Sequence, residues 1–447
     1  MTAVSWRWGA SILAPGAWLT FSVPLMAAEP SSRVVTFAKD IAPILQAKCQ
    51  ECHRKGTVAP MSLGTYQETR PWAKAIRERV ITRNMPPWHV DKTVGIQRFQ
   101  NDRSLTDEQI ETIARWVDSG APLGDPKDVP PPKQWPDEEG WQLAKQFGEP
   151  DFVVRSAPYA MPAQGPDVWW KPVSAVPVTE PRWVRALEMR PGTLGGRKIT
   201  HHALARLEQG EPGADEDPAS GPGLLMEWAI GKQNDVYREN TGKLLLPGAQ
   251  IRWDIHLHAL GEPIRDHVEL AVYLYPKGVV PKYRTRLTLF SATPTRAYSL
   301  DIPPNTVAET QQTHVLKGPA RLENYQPHMH LRGKAMSMEA VLPDGTVRML
   351  NSVNNFQFNW MNNYIYTDDA APVLPKGAKL RIRAWHDNTR ANPHNPDPDQ
   401  WVGWGDRTID EMAHAWVNVT YITEEDYQEW VARQKSSPPS LVTNGQR

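Results

Sequence analysis

The stretch 324-NYQPHMHLRGK-334 sets His328 and His330 one residue apart, directly after Pro327. In an extended strand residues i and i+2 point to the same face, so these two imidazoles stand side by side, as a metal ion would need them. In a chain with 13 histidines an H-x-H pair is more often just a polar strand face. The pair needs β surroundings and further ligands before it means more.

The surroundings read as β structure. From residue 148 onward the apolar residues recur with period 2: VELAVYLYP puts Val268, Leu270, Val272 and Leu274 on one face, and AKLRIRAWHDN does the same with Leu380, Ile382 and Ala384. VLPDGTVRML carries a Pro-Asp-Gly hairpin turn. Many short strands with Pro and Gly turns predict two all-β sandwich domains of jelly-roll-like build, at 148–305 and 306–430, followed by a polar tail at 431–447.

The first quarter reads differently. KCQECHRKG holds both cysteines of the chain, Cys49 and Cys52, in a C-x-x-C-H motif completed by His53. A thiol redox pair or half a zinc site would share the C-x-x-C. The adjacent histidine and the export signal discussed below favour covalent attachment of one c-type haem, the two thiols bonding to its vinyl groups and His53 lying beneath the iron. TDEQIETIARWVDSG predicts a helix, with a capping box at Thr106 and Gln109, an apolar stripe of Ile110, Ile113, Ala114 and Val117, and Gly120 at the stop. RPWAKAIRERV predicts another, with Trp72, Ile76 and Val80 inward. The loop RNMPPWH offers Met85 as sixth iron ligand, with Met61 and His89 as rivals. Met85 resembles the axial methionine of class I cytochromes c. These features predict a small all-α cytochrome c domain at 29–125, joined to the sandwiches by a stiff Pro-rich linker at 126–147.

Residues 1–28 place Arg7 before an apolar run that ends in small residues, which reads as a secretory signal peptide with Ala27 and Ala28 near the cut. Met26 is an imperfect fit to the cleavage rule, and an uncleaved anchor is the other reading. The expected location is periplasmic or secreted, with no membrane span after cleavage. Lys plus Arg and Asp plus Glu each total 50, so no basic field argues for nucleic acid. A small or neutral partner is expected.

The remaining histidines fall into an order: His201 and His202 in KITHHALARLE, His256 and His258 in IRWDIHLHALGEP, then His328 and His330, then Met412 in DEMAHAWV. The series resembles the copper type II, ascorbate-dependent monooxygenases, the family of the peptidylglycine α-hydroxylating and dopamine β-monooxygenases. The resemblance covers residues 150 to 425. It implies two copper ions, one held by His201, His202 and His256, the other by His328, His330 and Met412. His256 is preferred to His258 because Gly261 follows it at the matching distance. A thioether selects cuprous copper over zinc, which agrees with the implied metal.

Implied with the metals is hydroxylation of a substrate C–H bond with O₂, His328, His330 and Met412 forming the catalytic centre. The substrate is a small or peptide-like molecule and the electrons come from a periplasmic donor through the haem. The alternative is a non-catalytic copper-binding or copper-sensing electron-transfer protein. The peptide-amidating members carry an arginine where this chain has Gln326, and an asparagine and a tyrosine where it has His414 and Asn418. Amidation is therefore not expected. His258 and His267 read as strand-face groups, His386 as a buried hydrogen-bonded histidine, His394 as a solvated loop residue and His414 as a lining of the cleft. The family's disulfides are absent, so packing, assisted by 19 tryptophans, must hold the sandwiches.

Overall fold

The computed structural model describes residues 33–55, 57, 59–135, 140–210, 223–229, 232–293 and 300–436. The expected signal segment 1–28 and residues 437–447 of the expected tail lie outside them. No helix among the described residues is long and apolar enough to cross a membrane.

Helices dominate the N-terminal end: α1 (Ala42–Lys48), α2 (Ala73–Ile81) and α3 (Asp107–Asp118). Helix α3 starts at a reciprocal capping box, Thr106 accepting from the Gln109 N–H and Gln109 accepting from the Thr106 N–H. Its buried Ile113 and Trp116 share one apolar core with Phe37, Ile41, Leu45 and Val80. Trp72 departs from the expected stripe and is 43% exposed. The turn Arg70–Trp72 is wound as a 3₁₀ helix, whose three residues per turn shift its phase relative to α2.

The rest is mostly β structure in several sheets, consistent with a β-sandwich. In the first half the strands are β1 (Phe152–Arg155), β2 (Val168–Trp170), β3 (Arg182–Pro191), β4 (Thr200–Glu208), β5 (Leu224–Ala229), β6 (Thr241–Leu245), β7 (Gln250–Leu257) and β8 (Val268–Leu274). They are followed by β9 (Tyr283–Ser291), β10 (Val307–Val315), β11 (Asn324–His328), β12 (Gly333–Val341), β13 (Val347–Val353), β14 (Lys379–Asp387) and β15 (His414–Tyr421).

An eleven-stranded sheet runs β1-β8-β3-β6-β9-β15, with β11 paired to β15. Facing it are the five-stranded sheet β2-β7-β4-β5 and the four-stranded sheet β10-β14-β12-β13. One core lies between the first two, with Leu187 and Leu270 meeting Ala203 and Trp253. The other joins Ala415 and Val417 to Met338 and Ile382. Because β9 pairs parallel with β6 and antiparallel with β15, the large sheet passes through the boundary expected at 305 without a break. The C-terminal helix Glu424–Ser436 likewise crosses the boundary expected at 430.

Two other segments pack where the sequence reading expected separation. Trp88, Val90 and Phe99, which follow α2, belong to the second β core, Trp88 meeting Tyr364 edge-on at 4.7 Å. Val90 bridges to Val353 and Phe99 to Tyr366. Burying three such side chains stabilises the docking by about 1.5–3 kcal/mol each. The Pro-rich segment ends in a clasp: Trp141 and Leu143 cover Ala186, Ala271 and Tyr273, and Glu188 accepts the N–H groups of Gln142 and Leu143 at 2.9 Å. This cover explains why β8 is buried on both faces despite its alternating sequence.

Candidate metal centre

Strands β4 and β7 pair with His202 opposite His256, and one step later Leu257 pairs with Thr200, so that His201 is the extra residue of a bulge. In an unbroken strand His201 and His202 would project from opposite faces. A bulge re-aims one of them. The ring centroids of His201, His202 and His256 stand 5.2–5.4 Å apart, and their donor nitrogens all lie within 4.8 Å of one another.

Each imidazole has a nitrogen to spare. Among the described residues the buried Nδ1 atoms of His201 and His202 have no hydrogen-bond partner, while His256 gives Nε2 to the Asp167 carboxylate at 2.9 Å. A buried nitrogen left unpaired costs about 1–3 kcal/mol, a cost that a bound cation removes. Trp169, paired with His256 across β2 and β7, stacks on its ring at 4.5 Å. Burial, followed by the mutual effect of the neighbouring histidines, pushes His201 down to about 3 and His202 well below its ordinary range. Burial lowers His256 as well, against the pull of Asp167. All three are therefore neutral near pH 7, the form that binds metal.

His328 and His330 also come together, with ring centroids 5.3 Å apart. His328 pairs across the sheet with His414, whose ring stacks on it at 4.7 Å. His330 donates from Nδ1 to the Asp410 carbonyl at 3.0 Å and from its backbone N–H to Glu411 at 2.9 Å. Such a bond on one ring nitrogen fixes the ring and leaves Nε2 for a metal. Glu411 is fully buried, accepts the Arg332 N–H as well, and has its carboxyl raised to about 8 by burial.

A thioether that the sequence reading did not single out lies beside this pair. The Met361 sulfur lies 3.2 Å from His328 Nδ1. Met412 is half-buried just before β15, its carbonyl accepts from His386 Nε2 at 3.1 Å, and among the described residues its sulfur makes no hydrogen bond to His328 or His330. In the DEM run, Asp410 and Glu411 are thus the residues that hold His330. Met361 escaped the sequence reading because 356-FQFNWMNNY-364 has no strand period and contains no histidine; its mixture of aromatic rings and amides was the available signal.

The two histidine sets adjoin. His202 and His328 have ring centroids 6.2 Å apart, and Phe358 stacks on His201 at 4.6 Å while meeting His330 edge-on at 5.8 Å. Other histidines stay outside. His386 is fully buried, His267 faces Glu269 at 3.4 Å, His394 is exposed in a loop and His258 is half-buried after β7. Gln326 is fully buried and donates to Glu227 at 2.8 Å, so it is not offered to a substrate carboxylate. Asn418 is buried in β15, its N–H given to Asn324.

In the C-x-x-C-H motif, the Cys49 N–H bonds to Leu45 and the His53 N–H to Cys49, which carries the helical turn of α1 through the motif. Both thiols are free and half-buried, and burial pushes Cys49 up to about 12 and raises Cys52. His53 donates from Nδ1 to the Met61 carbonyl at 3.3 Å, leaving Nε2 available, and Met61 packs on the helical core. Met85 is half-buried in the turn after α2, and His89 is buried with its N–H on the Tyr364 hydroxyl at 3.2 Å. A cavity of about 350 Å³ is lined by Cys52 together with Trp135, Trp228 and Trp360.

No protein-family model matches this chain, and no curated protein does. Among solved structures it is similar to the major capsid protein P2 of bacteriophage PM2, at 11% identity and TM-score 0.26 over 62% of this chain and 98% of that one. It is also similar to the VP2 subviral particle of infectious bursal disease virus, at 14% identity and TM-score 0.19 over 66% of this chain and 76% of that one. A third is PNGF-II, at 10% identity and TM-score 0.25 over 62% of each chain. Likenesses this weak carry no argument about function.

Proposed function

We propose that this protein is a haem c-linked dicopper monooxygenase of the periplasm or the extracellular space. The observation that carries the reading is the convergence of His201, His202, His256, His328 and His330 from both β halves, with Met361 on His328. Imidazole with thioether is a donor set for copper, and a poor one for structural zinc. His201, His202 and His256 would hold one ion; His328, His330 and a thioether would hold the other, either Met361, whose sulfur touches His328, or Met412, which the family resemblance implies.

Copper so held supplies one-electron redox chemistry toward O₂ and a substrate C–H bond. The chain's own part is positional. Asp167 and the Asp410 carbonyl fix the rings of His256 and His330. Phe358 and Trp169 wall the cluster with apolar surface, which limits water at the reacting centre. At the other end, His53 is aimed by the Met61 carbonyl while two free thiols stand ready for covalent haem attachment.

The test is oxygen uptake by protein matured with haem and loaded with copper, screened against small C–H substrates. Substrate-dependent uptake that is lost in His328→Ala supports the reading. Metal binding with no uptake for any substrate favours the electron-transfer alternative.

A further inference from the structure

We propose that Trp360 and Met361 form the electron path from the haem edge at Cys52 into the His328 side of the histidine cluster, an inference that rests on the haem and copper reading above. Cys52 and Trp360 border the same cavity of about 350 Å³. Trp360 is bonded to Met361, whose sulfur is 3.2 Å from His328 Nδ1. The covalent link between these two residues, one lining the cavity and the other ending in a polarisable thioether, therefore joins the cavity to the imidazole.

The segment is tied to both sides. Asn362 donates to the Pro87 carbonyl at 3.0 Å, and the Asn363 carbonyl accepts from Asn101 at 2.7 Å, both partners lying in the part of the chain that carries the C-x-x-C-H motif. Asn324, at the start of the strand that ends in His328, donates to the Asn363 side chain at 2.5 Å. Asn362 and Asn363 are each 3% exposed. Two other indoles line the cavity: Trp135 lies under Arg54 beside the C-x-x-C-H motif, and Trp228 pairs with Ala203 across the β4–β5 ladder; among the described residues neither has a ring contact to a histidine of the cluster.

In this path one electron leaves ferrous haem, which becomes ferric, and one electron reaches cupric copper at His328, which becomes cuprous. No bond is made or broken and no proton moves.

Pulse radiolysis of the copper(II)-loaded holoprotein without oxygen tests it, by adding one electron to the haem and following its absorbance as it re-oxidises. Copper content, copper EPR and the resting haem spectrum are measured in parallel. The expected result is that Trp360→Leu slows haem re-oxidation by roughly tenfold or more and Trp360→Phe restores most of the rate, with both metals fully loaded. A wild-type rate in Trp360→Leu overturns the path. If that variant fails to load, Asn362→Ala keeps both side chains and releases the Pro87 tether; an unchanged rate there also overturns it. Wild-type protein that binds both metals but never passes the electron sinks the path and leaves the oxygen-uptake test of the broader reading intact.

Discussion

The Met361 sulfur and His328 Nδ1 lie 3.2 Å apart, although 33 residues separate them in the chain. That contact offers the second histidine set a thioether from a loop, beside the one that the family resemblance implies at Met412, just before β15. Met361→Leu should therefore weaken cuprous copper binding by roughly tenfold or more, and Met412→Leu by less, in a competition titration with a cuprous chelator. A larger loss in Met412→Leu would return the thioether role to that residue.

Asp167 holds His256 Nε2 at 2.9 Å. Removing such a partner usually costs about 10–100-fold in metal affinity. Asp167→Ala is expected to show that loss in copper(II) competition while the far-UV spectrum stays unchanged. Unaltered affinity would mean that the stacked Trp169 ring fixes His256 by itself.

What the sequence made legible follows from what periodicity encodes. Alternation in β14 and the capping box of α3 report local rules, and the structure repeats them; β8 forms as a strand, but the clasp over its outer face buries both sides. The pairing of His328 with His330 was legible for the same reason, since i and i+2 share a strand face. The convergence of His201 with His202 was legible only through the family resemblance, because strand periodicity would part them and a bulge in the β4–β7 register brings them together. Met361, Phe358 and the docking of Trp88 lie in irregular segments, where partners are chosen by tertiary packing and leave no periodic trace.

Trp88 sits in the second β core against Tyr364 and Phe99. Trp88→Ala should cost roughly 3–5 kcal/mol and loosen the segment that ties the helices to the sandwich. Limited proteolysis reads this directly: new cleavage within residues 85–101 is expected in the variant and not in the wild type. Protection equal to wild type would show that Val90 and Phe99 suffice.

His89 beside Trp88 gives the same junction a pH dependence. Burial lowers its imidazole from 6.5 to about 4. Between those values the unfolded chain binds a proton that the folded chain refuses, so stability is present above pH 6.5 and is lost as pH falls toward 4, by up to about 3 kcal/mol. In urea titrations His89→Gln should flatten the stability profile across that window. An identical slope in the two proteins would place the proton uptake elsewhere.

The central claim is that buried imidazoles and a thioether form a copper centre, and metal analysis of holoprotein matured with haem tests it most directly. About two copper ions per haem are expected, both retained through desalting and both lost in the double variant His202→Ala with His328→Ala. Protein that carries haem and retains no copper, or retains the same copper in that variant, contradicts the account.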